Sequence, residues 1–318
     1  MAVVIIGAGL VATAYAREAI ARGEEVVFID PEPRADYLRF KLGERGWRLL
    51  RKDVRDLPAL VDAFRTSGAR VVIHTAGLIG GRVQQSLFNA FDINVGGTRN
   101  VAEAVRLSGV ARLVHISTMG VYDSRRKTSA NVPEDFPRGA RRGYGNYKAA
   151  KELVLEAYAD EYKFELLILR PANVYGFGHF FAGSSGGMKM QALVEAAIDG
   201  RGATVPSSET MANEYIYSRD IGRAVDIATT IAMPKDYIFN IGNGYVSSFQ
   251  EVLDALGSTA RVGAIEVEKG DPPKSKAHAM DIARAGEQLG WAPRFTLAEG
   301  FADYVDEVRA ARAFFGKD

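Results

Sequence analysis

The chain has 318 residues, 47% of them apolar, enough to bury a large α/β core as one domain or as two lobes sharing a cleft. Lysine plus arginine (40) and aspartate plus glutamate (39) almost cancel to a formal net charge of +1, so neither nucleic acid nor an anionic membrane is an expected partner. Cysteine is absent, which excludes disulfides, thiolate catalysis and cysteine-ligated metals, and His74, His115, His179 and His278 are scattered without metal-ligand spacing.

In chain order, an apolar strand at 3–6 runs into a glycine turn and a helix over 12–21, and a second strand at 26–29 ends in Asp30. Further strands are predicted at 47–50, 70–74, 111–116, 165–169 and 237–241, with helices over 57–66, 84–107 and 144–158. Strands alternating with helices predict a doubly wound parallel sheet of Rossmann type. Residues 122–143 and 176–187 read as loops. The second is rich in glycine and carries Phe177, Phe180 and Phe181, so it is expected to be a mobile flap over the substrate. The chain enters a core strand at once, and no apolar run approaches about 18 residues, so a soluble, cytoplasmic protein is expected.

The first turn, Gly7-Ala8-Gly9-Leu10-Val11-Ala12, has the spacing G-x-G-x-x-G/A between a strand and a helix. Gly7 permits the turn, Gly9 lets a pyrophosphate approach the backbone, and Ala12 allows close helix–strand packing. The N-terminus of the helix that follows offers free N–H groups to phosphates. Asp30, about 20 residues on, is placed to accept hydrogen bonds from ribose hydroxyls. Its charge would repel the extra phosphate of NADP, so NAD is the expected cofactor, although Arg34 close by offers that phosphate a cation.

Tyr144-Gly145-Asn146-Tyr147-Lys148 puts a phenol and an ammonium on one helix face. A free phenol, with a pKa of about 10, is a poor base at neutral pH. A fixed cation beneath it favours the phenolate and lowers that value, giving a group that exchanges protons with an alcohol or carbonyl. Ser117-Thr118 ends the apolar run that precedes it.

These motifs resemble the extended short-chain dehydrogenase/reductases, the NAD-dependent epimerase/dehydratase group, nearly end to end. Asp53-Val54-Arg55-Asp56 resembles the segment that meets the adenine, and His74-Thr75-Ala76-Gly77 the turn that lies along the cofactor. Asn94-Val95-Gly96-Gly97-Thr98 matches the N-V-x-G-T helix element, Ile116-Ser117-Thr118 the strand with the catalytic Ser/Thr, and Leu169 through Gly176 the stretch from the nicotinamide pocket to the substrate lobe. Leu289-Gly290-Trp291-Ala292-Pro293 and Leu297-Ala298-Glu299-Gly300 match the closing pattern.

The resemblance implies a Rossmann domain over 1–172, with 213–243 returning to it, and a smaller, discontinuous C-terminal substrate lobe made mainly of 173–212 and 244–318. It implies Thr118, Tyr144 and Lys148 as catalytic residues. The implied cofactor residues are Gly7, Gly9, Leu10, Val11, Asp30, Asp53, Val54, Ala76, Gly77, Tyr144, Lys148, Pro171, Asn173 and Val174. Thr118, Met119, Tyr144, Asn173 and His179 are the implied substrate contacts, and no metal is called for. A homodimer through 84–107 and 144–158 is the default expectation, with Leu87, Phe91, Leu153 and Leu155 as apolar contacts.

Three departures shape the functional expectation. The glycine loop is one residue shorter than the family's usual G-x-x-G-x-x-G. Thr118 is followed by Met119-Gly120, without the Asp-Glu pair that dehydratases use. Asn213 and Glu268 align where nucleotide-sugar epimerases carry the arginines that bind the substrate diphosphate, and Arg is the residue suited to that bidentate task. The expected activity is therefore an NAD(P)-dependent oxidoreductase acting on a secondary alcohol or ketone of a small hydroxylated molecule such as a sugar or sugar acid. A nucleotide-sugar epimerase that holds its NAD, and a non-catalytic dinucleotide sensor, are the alternatives.

Overall fold

The computed structural model describes residues 2–126, 128, 130–140, 143–178, 185–207, 210, 212–270 and 278–316. Its centre is a seven-stranded parallel sheet. In chain order the strands are β1 (Val3–Ile6), β2 (Val26–Ile29), β3 (Trp47–Leu50), β4 (Val71–His74), β5 (Arg112–Ile116), β6 (Glu165–Pro171) and β10 (Ile238–Ile241). They lie side by side as β10-β6-β5-β4-β1-β2-β3. The order reverses between β1 and β4, and a crevice opens at the carboxyl ends of those two strands, where doubly wound sheets bind ligands.

Both faces of the sheet are covered, which explains why its central strands read as unbroken apolar runs. On one face α1 (Leu10–Ala21) and α9 (Ser218–Thr230) pack through Ala12, Tyr15, Ile221 and Ala224. On the other lie α3 (Leu57–Thr66), α6 (Gly97–Ser108) and α7 (Gly143–Tyr162), contributing Leu60, Val101 and Leu155. A third apolar cluster gathers Tyr175, Val194, Tyr217, Leu256, Phe301 and Tyr304, from β7 (Asn173–Tyr175), α8 (Ser185–Ile198), β9 (Tyr215–Tyr217), α10 (Phe249–Gly257) and α12 (Leu297–Phe315). Beside it β8 (Ala203–Pro206) pairs in parallel with β11 (Ile265–Glu268).

Four expectations change. The helix over 84–107 is interrupted. After α4 (Gly81–Gln85), Ser86 is extended and its Oγ accepts from Asn89 N–H, starting α5 (Leu87–Phe91) afresh. A π-helical turn, Asp92–Gly96, then leads into α6. The helix α2 (Ala35–Leu42), unread in the sequence, follows Asp30 and sends Tyr37 into the third cluster. The stem of the expected flap is a packed connector, because Phe177 is buried against Tyr37 and Phe40, with ring centroids 6.2 and 5.6 Å apart. Phe180 and Phe181 lie outside the described residues. Finally, Leu155 is fully buried in the core, whereas Leu87, Phe91 and Leu153 are exposed as a dimer contact would require.

The helix α7 is fixed to the sheet by a buried ion pair. Arg170 on β6 donates from Nε and Nη2 to the two Glu152 oxygens at 3.0 and 2.6 Å, while its Nη1 reaches Tyr122 Oη and the Glu134 carbonyl. Breaking such a pair strands a charge in a dry site. Arg170→Met is therefore expected to lower unfolding free energy by about 3 kcal/mol or more, read from urea denaturation. A loss below about 1 kcal/mol would show that the pair does not hold the helix.

Candidate active site

The glycine turn after β1 faces the crevice. Gly7 adopts φ +98°, and a Cβ there would stand 2.5 Å from Thr75 Oγ1, so the turn after β4 leaves room for glycine only. At Gly9 a Cβ would meet nothing within 4 Å, which marks open space directly before α1. No side chain caps the α1 N-terminus, leaving its first N–H groups turned to that space. Asp30 is held by the same loop: Ala8 N–H donates to Oδ2 at 3.0 Å and Glu32 N–H to Oδ1 at 2.9 Å. Arg34 pairs with Asp36 at 3.1 Å. An open pocket before a bare helix N-terminus, with a fixed carboxylate beside it, suits a dinucleotide without a 2′-phosphate.

The other expected cofactor residues lie at or just after the carboxyl ends of β3, β4 and β6. Asp53 pairs with Arg55 at 2.7 Å, which holds its carboxyl below the ordinary range. Val54 is buried, and Asn100 Nδ2 donates to its carbonyl at 3.0 Å. Asn100 braces this loop from α6, a role that no motif announced. Ala76 and Gly77 form the turn after β4, where Ala76 N–H donates to the Ile6 carbonyl. Pro171 ends β6, and Asn173 and Val174 open β7.

Thr118, Tyr144 and Lys148 come together at the carboxyl end of β5. The Thr118 hydroxyl is hydrogen-bonded to the Tyr144 phenol and accepts from Gly120 N–H at 3.1 Å. Lys148, 5% exposed, donates from Nζ to the Ile116 carbonyl at 2.6 Å. Gly145 makes this approach possible: a Cβ there would sit 2.2 Å from the Gly120 carbonyl oxygen, so a larger residue would drive the first turn of α7 away from Thr118. Sequence reasoning passes over Gly145, whose only signal is a small residue next to the tyrosine. Ser117 donates to Glu152, tying the strand end to the same helix one turn further on.

The electrostatics correct one expectation. Lys148 does not lower the Tyr144 pKa here. Burial pushes the phenol up to about 12, and the Thr118 hydrogen bond pulls it back only in part. Lys148 is itself brought down to about 8 by burial, against the opposing charge of Glu152. Its ammonium is committed to Ile116, not to the ring. Without a ligand the pair rests as a neutral phenol beside a lysine near its titration point.

Of the expected substrate contacts, Thr118, Met119, Tyr144 and Asn173 are on or beside this site. Asn173 Nδ2 donates to the Glu214 carbonyl at 3.0 Å and lies 3.8 Å from Met119 Sδ. His179 lies outside the described residues. Asn213 is locked in a two-bond bridge with Ser247, Glu268 is exposed on β11, and Arg219 is engaged by Asp303 at 2.7 Å. Among the described residues no group of His, Cys, Asp and Glu is arranged to hold a metal.

A family model described as the NAD dependent epimerase/dehydratase family matches residues 3–242. The chain is 30% identical over 314 residues to a UDP-glucose 4-epimerase from Mycolicibacterium smegmatis, covering 95% of this chain and 96% of that one. It is 27% identical over 317 residues to a dTDP-glucose 4,6-dehydratase from Streptomyces antibioticus, covering 97% and 92%. The solved UDP-glucose 4-epimerase of Thermus thermophilus, in complex with NAD, superposes with a TM-score of 0.85 at 26% identity over 98% of this chain and 100% of that one.

In the ligand-free protein Tyr144 should give no phenolate absorbance below about pH 11, since its folded pKa is raised above the ordinary value of about 10. Difference titration of the parent against Tyr144→Phe reads this directly. A phenolate appearing near neutral pH without ligand would mean that Lys148 acts on the ring after all.

Proposed function

Because the chain belongs to the NAD dependent epimerase/dehydratase family, we propose that it is an NAD-dependent oxidoreductase acting on a secondary alcohol, or the matching ketone, of a sugar-type substrate. The reading rests above all on the convergence of Thr118, Tyr144 and Lys148 at the carboxyl end of β5, within reach of the crevice that begins at Gly7 and Gly9. Bound NAD supplies the acceptor and donor for hydride. In our reading the chain's own residues do the rest. Gly9, Leu10 and Val11 receive the phosphates, Asp30 the adenosine ribose, and Asp53 and Val54 the adenine. Ala76, Gly77, Pro171, Asn173 and Val174 line the nicotinamide side.

In this scheme Thr118 holds the reacting substrate oxygen by its hydroxyl, and Tyr144 gives a proton to that oxygen or takes one from it. The neutral resting phenol suits the donating role. Removing a proton from an alcohol requires the phenolate, which in turn requires Lys148 to release Ile116 and turn its charge to the ring. The division into a cofactor domain over 1–172 with 213–243, and a substrate lobe over 173–212 and 244–318, is supported by β10 joining the sheet and by α8, α10 and α12 gathering around Phe301, where Tyr37 and Tyr217 of the cofactor domain meet them. A homodimer is our reading of the outward face of α5 and α7, where Leu87, Phe88, Phe91 and Leu153 are all more than half exposed. We read the enzyme as cytoplasmic. Among the described residues no helix is long and apolar enough to cross a membrane.

The substrate we favour carries no nucleoside diphosphate, because Asn213 and Glu268 stand where the resemblance calls for the arginines that bind one. Met119, beside Thr118, has no proton to give, which argues against the elimination that dehydratases perform. The identity to a UDP-glucose 4-epimerase along almost the whole chain favours a second reading, a nucleotide-sugar epimerase that uses the same three residues and retains its NAD.

Tyr144→Phe should remove nearly all turnover, a loss of about 10²-fold or more, with NAD affinity and thermal stability close to the parent. Absorbance at the NADH band, in a screen of alcohols, sugar acids and free sugars, provides the assay. Turnover within a few-fold of the parent would sink the catalytic assignment. UDP-glucose at about 1 mM is expected neither to be epimerised nor to raise the melting temperature. Protection by it, or NAD that co-purifies and stays bound, would decide for the epimerase.

A further inference from the structure

One strongly polar group beside the site has no part in this scheme. Lys151 on α7 lies one turn beyond Lys148 and is 0% exposed. Its Nζ donates to the Ala76 carbonyl at 2.8 Å, and among the described residues no carboxylate comes within ion-pair distance of it. The turn it reaches is packed directly onto it. A Cβ on Gly77, which has φ +151°, would stand 3.3 Å from Lys151 Nζ and 2.7 Å from Asn94 Oδ1. Asn94, from the π-helical turn, grips the next residue by accepting from Leu78 N–H at 2.7 Å and donating to its carbonyl at 3.0 Å. Two side chains from different elements thus hold residues 76–78.

Lysine is an unexpected choice for such a clamp. The titratable groups facing its Nζ are Lys148 on the same helix, His74 on β4 and His115 on β5, all of them bases. The two imidazole rings lie 5.2 Å apart, and His74 Nδ1 and His115 Nε2 have no hydrogen-bond partner among the described residues. Asp92 and Arg99, on the neighbouring helical segments, are exposed, and Asp92 turns towards Arg55. Glu152, next in sequence to Lys151, is occupied by Ser117, Arg138 and Arg170. A dry pocket lined by bases does not accommodate a second ammonium beside Lys148.

We propose that Lys151 is a positioning residue that works as an uncharged amine, pinning the Ala76–Gly77 turn to the helix that carries Tyr144 and Lys148 and so shaping the surface on which the cofactor lies. Burial and the charge of Lys148 both oppose its protonation and hold its pKa well below the ordinary lysine value. The two histidines are kept neutral by the same burial. The pocket therefore carries a single positive charge, on Lys148, where the reaction needs it. The inference rests on the proposed NAD site, since the turn matters through what lies on it.

The sign of the stability effect separates this role from simple packing. With its folded pKa held below the unfolded one, Lys151 costs folding free energy at pH values below the unfolded pKa, and the cost grows as pH falls towards the folded pKa. Lys151→Met keeps the stem and removes the amine. It should raise the melting temperature, by more at about pH 7 than at about pH 9, while weakening NAD binding by about tenfold or more. The value of kcat at saturating NAD should stay within a few-fold. Lys151→Gln, which restores a neutral donor, should recover much of the lost affinity.

Thermal unfolding at the two pH values and NAD titration of the parent and both variants test this. NAD affinity unchanged within twofold in Lys151→Met, against a parent that binds NAD, would overturn the positioning role. A melting temperature that falls at both pH values, with kcat falling alongside, would mark Lys151 as packing alone. A parent that does not bind NAD would instead overturn the functional reading, and the pH dependence of melting would still report whether Lys151 is uncharged.

Discussion

The site depends on where α7 is held, and one buried carboxylate holds it. Glu152 is fully enclosed and is met from three directions: Ser117 at the end of β5, Arg170 on β6, and Arg138 from the loop before the helix. A buried charge with so many partners fixes geometry more surely than it adds stability, because desolvation consumes most of the Coulombic gain. Those contacts set how α7 lies against β5, and hence where Tyr144 and Lys148 stand relative to Thr118. The same carboxylate, one turn beyond Lys148, is the favourable charge that offsets the cost of burying that ammonium. Gly145 completes the fit by letting the first turn of the helix touch the Met119–Val121 turn.

With the helix so held, the proposed chemistry waits on the ligand. A tyrosine near 12 and a lysine near 8 are not yet a base and its activator. Both shifts have burial as their leading cause, and each group now satisfies itself internally, the phenol through Thr118 and the ammonium through Ile116. A substrate oxygen at Thr118 and a ribose hydroxyl at Lys148 would compete for those bonds. On the proposed reading the catalytic state is then assembled on binding, which keeps a reactive phenolate from forming in the ligand-free protein.

Much of this is legible in the chain. The strand–glycine–helix pattern at Gly7 and Gly9, the apolar runs of the buried parallel strands and the Tyr144/Lys148 spacing are local signals, and each stands where its pattern predicts. The sequence is silent where position depends on long-range packing. The break at Ser86 is hidden inside an amphipathic helical period, because an extended residue that caps the next helix leaves the apolar spacing almost intact. Phe177 reads as a flap residue for its glycine neighbours, yet Tyr37 and Phe40 from an unread helix enclose it. The Tyr144 pKa departs from expectation for a related reason: helical spacing brings Lys148 to the right face, but only the Ile116 carbonyl decides where its ammonium points.

The segment leading into β9 illustrates a further limit. Asn213 and Glu214 are adjacent in sequence but do opposite work. Glu214 turns inward and is fully buried, accepting from Gly244 and Met280 N–H at 2.7 Å each, so it staples β9 to the loop after β10 and to the segment leading into α11 (Ala283–Leu289). A carboxylate satisfied by backbone donors in this way is structural, and its charge is not available to a ligand. Asn213 is left on the other side of the strand, with its backbone fixed by Ser247 and its side chain bonded to Tyr215. A neutral amide offers hydrogen bonds whereas a diphosphate calls for paired charge, and a choice of that kind turns on one or two side chains whose roles only packing decides, while the fold and the cofactor site are written in extended local patterns.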